Sequence, residues 1–175
     1  MFQKPNTTGR PVIEIKWGSI DLVLEGAALL VLIVAAAMLL YEYPSLPDQI
    51  PTHFNAEGVA DDYGSKSSLF AFLGFPVGMY LLLTLFNKNP SNFNYPLKIT
   101  EYNAPYQYRL SMRLLRWIKL AMVINFVWML YSAIQVAKSG GDRLSPAFVV
   151  VFLASVFVPI VVYFYLANHQ PKSTS

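Results

Sequence analysis

His53 and Asp61 lie eight residues apart in the polar stretch LPDQIPTHFNAEGVADDYGSK, residues 46–66, with Asn55, Glu57 and Gly58 between them. An imidazole beside a carboxylate can fix a loop, contribute to a metal site or present a polar face to a ligand. Residues 50–63 suit a β-hairpin whose turn is Asn55-Ala56-Glu57-Gly58, with Gly58 in the left-handed position. That register pairs Asn55 with Val59, Phe54 with Ala60, His53 with Asp61 and Thr52 with Asp62. Alternation then sets His53, Asn55, Asp61 and Tyr63 on one face, the candidate ligand-binding surface. The other face carries Ile50, Thr52, Phe54 and Asp62, and Ile50 and Phe54 are expected to rest on the structure beneath. Pro51 confines its strand to an edge. Ser67 or Ser68 is the expected cap of the following helix. With Glu57 nearby, His53 and Asp61 make a weak three-ligand metal set. One histidine without ligand spacing assigns no metal.

A second group of polar residues interrupts apolar sequence. Glu25 and Asn125 each fall inside a long apolar run. Polar and ionisable groups there are costly, so each marks either pairing or function. Glu25 is expected to pair with Arg116 or Lys119, and a proton or ion role is the alternative. Arg109, Arg113 and Arg116 recur at i, i+4 and i+7 on one helical face. They suit anionic lipid headgroups or form an ordinary basic flank. No Ser–His–acid arrangement is legible, and the absence of cysteine excludes thiol catalysis, disulfides and cysteine–metal clusters. The chain therefore reads as non-enzymatic, with no catalytic residue and no cofactor. Aromatic and basic residues interleave after residue 90, but no nucleic-acid motif is present.

The elements that must position these groups follow from composition. Hydrophobic residues make up 55% of the 175 and charged residues 13%, about half the charged fraction of an average soluble domain. Four apolar runs, about 20–41, 69–86, 120–137 and 146–167, approach or exceed the ~18–20 residues that cross a bilayer. In lipid each must be helical, because a helix satisfies its own backbone. None shows the polar face of a helix buried in a soluble protein. The expected fold class is an all-α integral membrane protein: one domain, residues 1–175, with four transmembrane helices in an antiparallel bundle. A small extracytoplasmic β-hairpin joins helices 1 and 2. Ten of the 13 Lys and Arg residues fall on the side of both termini, which predicts cytoplasmic termini and an outer 46–66 loop. A cleaved signal peptide is the rival reading of the first run, with Ala35–Ala37 as its cleavage site. Glu25 and the continuation to Leu40 count against it. Trp17, Trp117, Tyr41, Tyr43 and Tyr163 are expected as interface anchors. In the second span, Gly74 and Gly78 are expected to admit a close helix neighbour and Pro76 to favour a kink.

The 46–66 loop resembles the pattern LP..IP.HFN..G..D..GSK of a bacterial membrane family called domain of unknown function 1648. The matching positions are Leu46, Pro47, Ile50, Pro51, His53, Phe54, Asn55, Gly58, Asp61 or Asp62, Gly64, Ser65 and Lys66. The stretch FNYPLKITEYNAPYQYRL is also similar to members of that family. The resemblance implies a multi-pass protein of the bacterial cytoplasmic (inner) membrane. The same domain begins SdpI-like proteins, which confer immunity to a secreted toxic peptide and signal its presence to a cytoplasmic repressor. Those chains continue into further C-terminal spans beyond the four seen here. The implied function is immunity or envelope sensing. The outer loop would engage a peptide or envelope ligand, and another membrane or cytoplasmic protein would be a partner beside the lipid bilayer. A small transporter or ion-coupled accessory protein using Glu25 and Asn125 is the alternative. A metal-dependent membrane enzyme is the third reading.

Overall fold

The computed structural model describes residues 9–145 and 147–169. Lys4 and Lys172, two of the ten basic residues counted above, and residue 146 of the fourth run lie outside the described residues. Helix α1 spans Ser19–Glu42, strands β1 and β2 Gln49–Phe54 and Ala60–Ser65, and helix α2 Leu69–Phe86. Helices α3, Ala104–Ser139, and α4, Ala147–Asn168, follow. All four helices are long and apolar enough to cross a membrane. Leu22, Val23, Leu30, Leu81, Val150 and Val161 point outward unburied, as lipid-facing residues do when the solvent is itself apolar.

Helix α3 begins sixteen residues before the expected span start at 120. At 1.5 Å per residue its 36 residues reach ~54 Å, well beyond a ~30 Å hydrocarbon core. Asn103 and Pro105 fit its start, since proline in the first turn has no intrahelical N–H bond to lose. It stops at Gly140, where φ is 67°. Only a residue without a Cβ takes that conformation cheaply.

The long helix is the hub. Helices α1, α2 and α4 each pack on α3, α1 and α2 touch one another less, and α4 rests essentially on α3 alone. Within the expected antiparallel bundle, three helices thus pack around one. Contacts fix the directions. Glu25 meets Lys119 near one end of α1 and Glu42 meets Lys138 near the other, so α1 and α3 run together. Tyr80, late in α2, meets Glu25, early in α1, and Gln107 meets Ala167, so α2 and α4 run opposite. One core cluster lies at the hairpin end, where Ala35, Leu39, Ile50, Leu69, Leu130 and Ile134 are buried together. A smaller one, Ile99, Ala104 and Tyr108, lies at the opposite end and takes in Ile13 and Ile15 of the N-terminal strap. Tyr108 donates to Pro11 O at 2.9 Å, which ties that strap down. Nearby Tyr95, in the α2–α3 connection, is held well above the usual phenol pKa by burial.

Two packing expectations fail. A Cβ added at Gly74 or Gly78 would meet nothing within 4 Å, so among the described residues no helix approaches these glycines closely. Tyr163 is buried against the α3 side instead of anchoring at an interface. Trp17, Trp117 and Tyr41 are exposed.

Candidate functional site

Two regions hold the polar side chains. The first is the hairpin platform between α1 and α2. Strands β1 and β2 are antiparallel, with Gln49 opposite Ser65, Ile50 opposite Gly64, Pro51 opposite Tyr63 and Phe54 opposite Ala60. The expected register holds at both ends. It is irregular in the middle, where His53 stands opposite Asp62 instead of Asp61. The side chains still pair as expected: His53 Nδ1 lies 2.6 Å from Asp61 Oδ1, and Thr52 Oγ1 donates to Asp62 Oδ2 at 3.1 Å. Gly58 takes φ 76°.

Asn55, expected on the ligand face, also has a structural part in the turn. Its Oδ1 accepts from the N–H groups of Glu57 and Val59 at 3.0 and 2.9 Å, so the side chain builds the turn. Glu57 does not join His53 and Asp61. Among the described residues no three His, Cys, Asp or Glu side chains are grouped closely enough to hold a metal ion. The helix-capping expectation also shifts by two residues. Ser65 Oγ accepts from Ser67 N at the start of a 3-10 turn, and Ser68 makes no side-chain cap.

A two-stranded hairpin is marginal in water, yet this one is held from two sides. Ile50 is fully buried in the hairpin-end core and Phe54 packs on it. The α3–α4 connection supplies the other side. Leu144 N donates to Gly58 O at 2.7 Å, Ala60 N donates to Asp142 O at 2.6 Å, and Val59 bridges Arg143. In sequence this connection shows only the pair Gly140-Gly141, with nothing that announces such a role. Lys66 locks the far end, donating to Leu46 O and pairing with Asp48, each at 3.2 Å. His53, Asp61 and Tyr63 remain exposed, as do Glu57 and Asp62 of the same hairpin. Beside the turn is a groove of about 270 Å³ lined by Phe54, Gly58, Met129, Leu144 and Phe148.

The second region lies at the opposite end. Lys119 Nζ donates to both Glu25 oxygens at 2.7 and 2.6 Å and to Thr84 Oγ1 at 2.8 Å. Tyr80 OH donates to Glu25 Oε2 at 3.3 Å. Arg116 Nε lies 3.3 Å from Glu25 Oε1. The expected pairing of Glu25 with Arg116 or Lys119 thus occurs with both. Asp21, which the sequence reading passed over, is 2% exposed. It accepts from Gly18 N at 2.8 Å, Arg116 Nη1 at 3.2 Å and Arg113 Nε at 3.4 Å. A usable signal was present: Asp21 and Glu25 are spaced i, i+4 on α1 and so share a face. Arg116 and Lys119 are spaced i, i+3 on α3. Arg116 also covers the Trp17 ring at 4.7 Å, and Lys119 the Tyr80 ring at 4.4 Å.

These partners take the three arginines off one common exposed face. Arg116 is buried and Arg113 is tied to Asp21, so only Arg109 of the three arginines is freely exposed. Asn125 is buried elsewhere. Its Nδ2 donates to Ala121 O and to Ser155 Oγ, linking α3 to α4, and it shares no hydrogen-bond partner with Glu25. The two intramembrane polar groups therefore do not form one site.

Comparison with known proteins adds a partial family match and little chemistry. The chain is 28% identical over 158 aligned positions to an Archaeoglobus fulgidus protein described as an uncharacterized protein, an alignment covering 79% of this chain and 85% of that relative. No solved structure matches it. Residues 30–79 match the family described as domain of unknown function (DUF1648), a segment running from within α1 through the hairpin into α2. Over those residues the chain is similar to the DUF1648 family.

Proposed function

We propose that the chain is a non-enzymatic protein of a bacterial cytoplasmic membrane whose hairpin platform faces outward and binds a peptide or another envelope ligand. The observation that carries this reading is the construction of the platform. A loop that only joined two spans would need neither a buried Ile50 nor backbone bonds from residues 142–144. Both hold His53, Asp61 and Tyr63 in one presentation. Rigid placement lowers the entropy lost on binding. Immunity to a secreted peptide, of the SdpI-like kind, is the setting that fits best, and a second membrane or cytoplasmic protein would carry the signal onward. The orientation rests on the excess of Lys and Arg around the α2–α3 connection and the termini. A cysteine at Ala56 should then react with an impermeant thiol reagent in intact cells, and one at Asn94 only after lysis. Reversed labelling would put the platform inside and end this reading. For the ligand, a photoreactive residue at Tyr63 in native membranes should give a discrete adduct that His53→Ala weakens. Equal adducts from Tyr63 and from the lipid-facing Leu82 would mean that the platform selects nothing.

The ion-coupled alternative draws on one observation, the buried Asp21–Glu25–Arg113–Arg116–Lys119 cluster. Saturable uptake abolished by Glu25→Gln at normal expression would favour it. Each carboxylate already meets two cationic partners, the arrangement of a structural tie.

A further inference from the structure

A cavity of about 300 Å³ opens beside the ion cluster, at the end of the molecule that carries the N-terminal strap. Arg116, Glu25, Thr84 and Asn87 form its inner wall, and Glu14, Trp17 and Lys88 its outer one. Two of the wall groups are buried with unused hydrogen-bonding capacity. Asn87 is 5% exposed; its Nδ2 donates to Met112 O at 3.1 Å, but its Oδ1 accepts nothing. Arg116 is 3% exposed; its Nη1 is used by Asp21, but its Nε, near Glu25 yet misaligned, forms no hydrogen bond. Native interiors rarely leave such atoms unmatched. Here one is a donor and the other an acceptor.

The charges around the cavity decide what suits it. Arg113, Arg116, Lys119 and Lys88 stand against Asp21, Glu25 and Glu14, which leaves one positive charge in excess. An anion is favoured, and a guanidinium with a nearby ammonium is a phosphate-binding pair. The acceptors Asn87 Oδ1 and Glu14 require that the same ligand also carry a donor. The cavity lies at the start of α1 beside exposed Trp17, and tryptophan favours the level of lipid headgroups.

We propose that this cavity binds the phosphodiester headgroup of a phospholipid whose polar end carries a hydroxyl or a protonated amine. The phosphate meets Arg116 and Lys88, and the hydroxyl or ammonium meets Asn87 Oδ1 and Glu14. Phosphoglycerol and phosphoethanolamine have that chemistry. Phosphocholine does not, because its quaternary nitrogen bears no hydrogen. A soluble phosphate ester such as glycerol phosphate shares the recognised groups, so the test must separate it from the lipid.

The experiment uses the delipidated full chain in micelles, with Trp117→Phe and Trp128→Phe so that Trp17 reports from the cavity wall. Native mass spectrometry of the unsubstituted chain provides the second readout. Dihexanoyl phosphatidylglycerol and phosphatidylethanolamine should change the Trp17 emission saturably, and dihexanoyl phosphatidylcholine should bind about tenfold more weakly for want of the donor. Lys88 is exposed, so Lys88→Ala should weaken the first two severalfold without changing thermal stability. Phosphatidylcholine binding as tightly as phosphatidylglycerol, or binding indifferent to Lys88→Ala in both readouts, would overturn the proposal. Glycerol phosphate binding as tightly as the lipids would remove the lipid as occupant.

Discussion

The hairpin platform and the ion cluster both gather charged side chains from several elements, and they treat them in opposite ways. At the platform the pair His53–Asp61 is open to solvent, with side chains 66% and 43% exposed. The rigidity there comes from backbone bonds, a left-handed glycine and apolar residues below. In the cluster the side chains are the structure. Lys119 is 1% exposed and joins α1, α2 and α3 through Glu25 and Thr84. Water screens the first pair and is largely excluded from the second. A membrane protein can thus spend exposed charge on recognition, while buried charge, costly to isolate, serves better as a joint between helices.

The largest test of that contrast is to remove one buried partner. Lys119→Met should destabilise the fold by about 3–5 kcal/mol, since it strands a carboxylate among apolar helices. Adding Glu25→Gln should recover much of the loss, as read by thermal or SDS unfolding in micelles. Equal damage from the single and the double substitution would show that the cluster is not held by pairing.

At the platform, backbone geometry should matter more than charge. Gly58→Val forces a β-branched residue to φ 76° and sets a Cβ 3.4 Å from that of Leu144. Its cost should be roughly 1–3 kcal/mol, confined to the loop, whereas exposed Glu57→Ala should stay within about 0.5 kcal/mol. Protease resistance of the loop in right-side-out vesicles reads the difference. Equal tolerance of both would refute the turn.

A smaller effect is expected at His53 and Asp61. Each alanine substitution should cost less than about 1 kcal/mol, and the double variant less than the sum of the two. Ligand capture should suffer more than stability does. Strict additivity would mean that the pair exists without coupling, and a loss comparable to Lys119→Met would erase the contrast between the two regions.

The smallest effect concerns neither region. Gly74→Ala and Gly78→Ala meet open space, so each should be neutral or stabilising by up to about 1 kcal/mol through helix propensity. A clear loss would reveal a second helix packed there in an oligomer.

The sequence by itself determined what local physics determines. Run length and the backbone's need for internal hydrogen bonds set the four spans, and α2 matches its predicted limits, 69–86. Turn chemistry around Gly58 set the hairpin and nearly all its register. The cost of an ionised group in lipid pointed Glu25 toward Arg116 and Lys119. Tertiary structure alone decided which residues far apart in the chain meet. Asp21 reads as a helix-start acid until Arg113 and Arg116 close over it from 92 and 95 residues away. Residues 142–144 read as a turn until they bond to the hairpin. Asn55 reads only as a residue of the candidate binding face, and the structure adds that its carbonyl oxygen holds the turn. Nor does periodicity show that α3, not the bundle axis, is the common contact of the other helices. Apolar side chains suit lipid and protein equally well, so hydrophobicity could not say which face of each helix packs; complementary polar groups and shape made that choice.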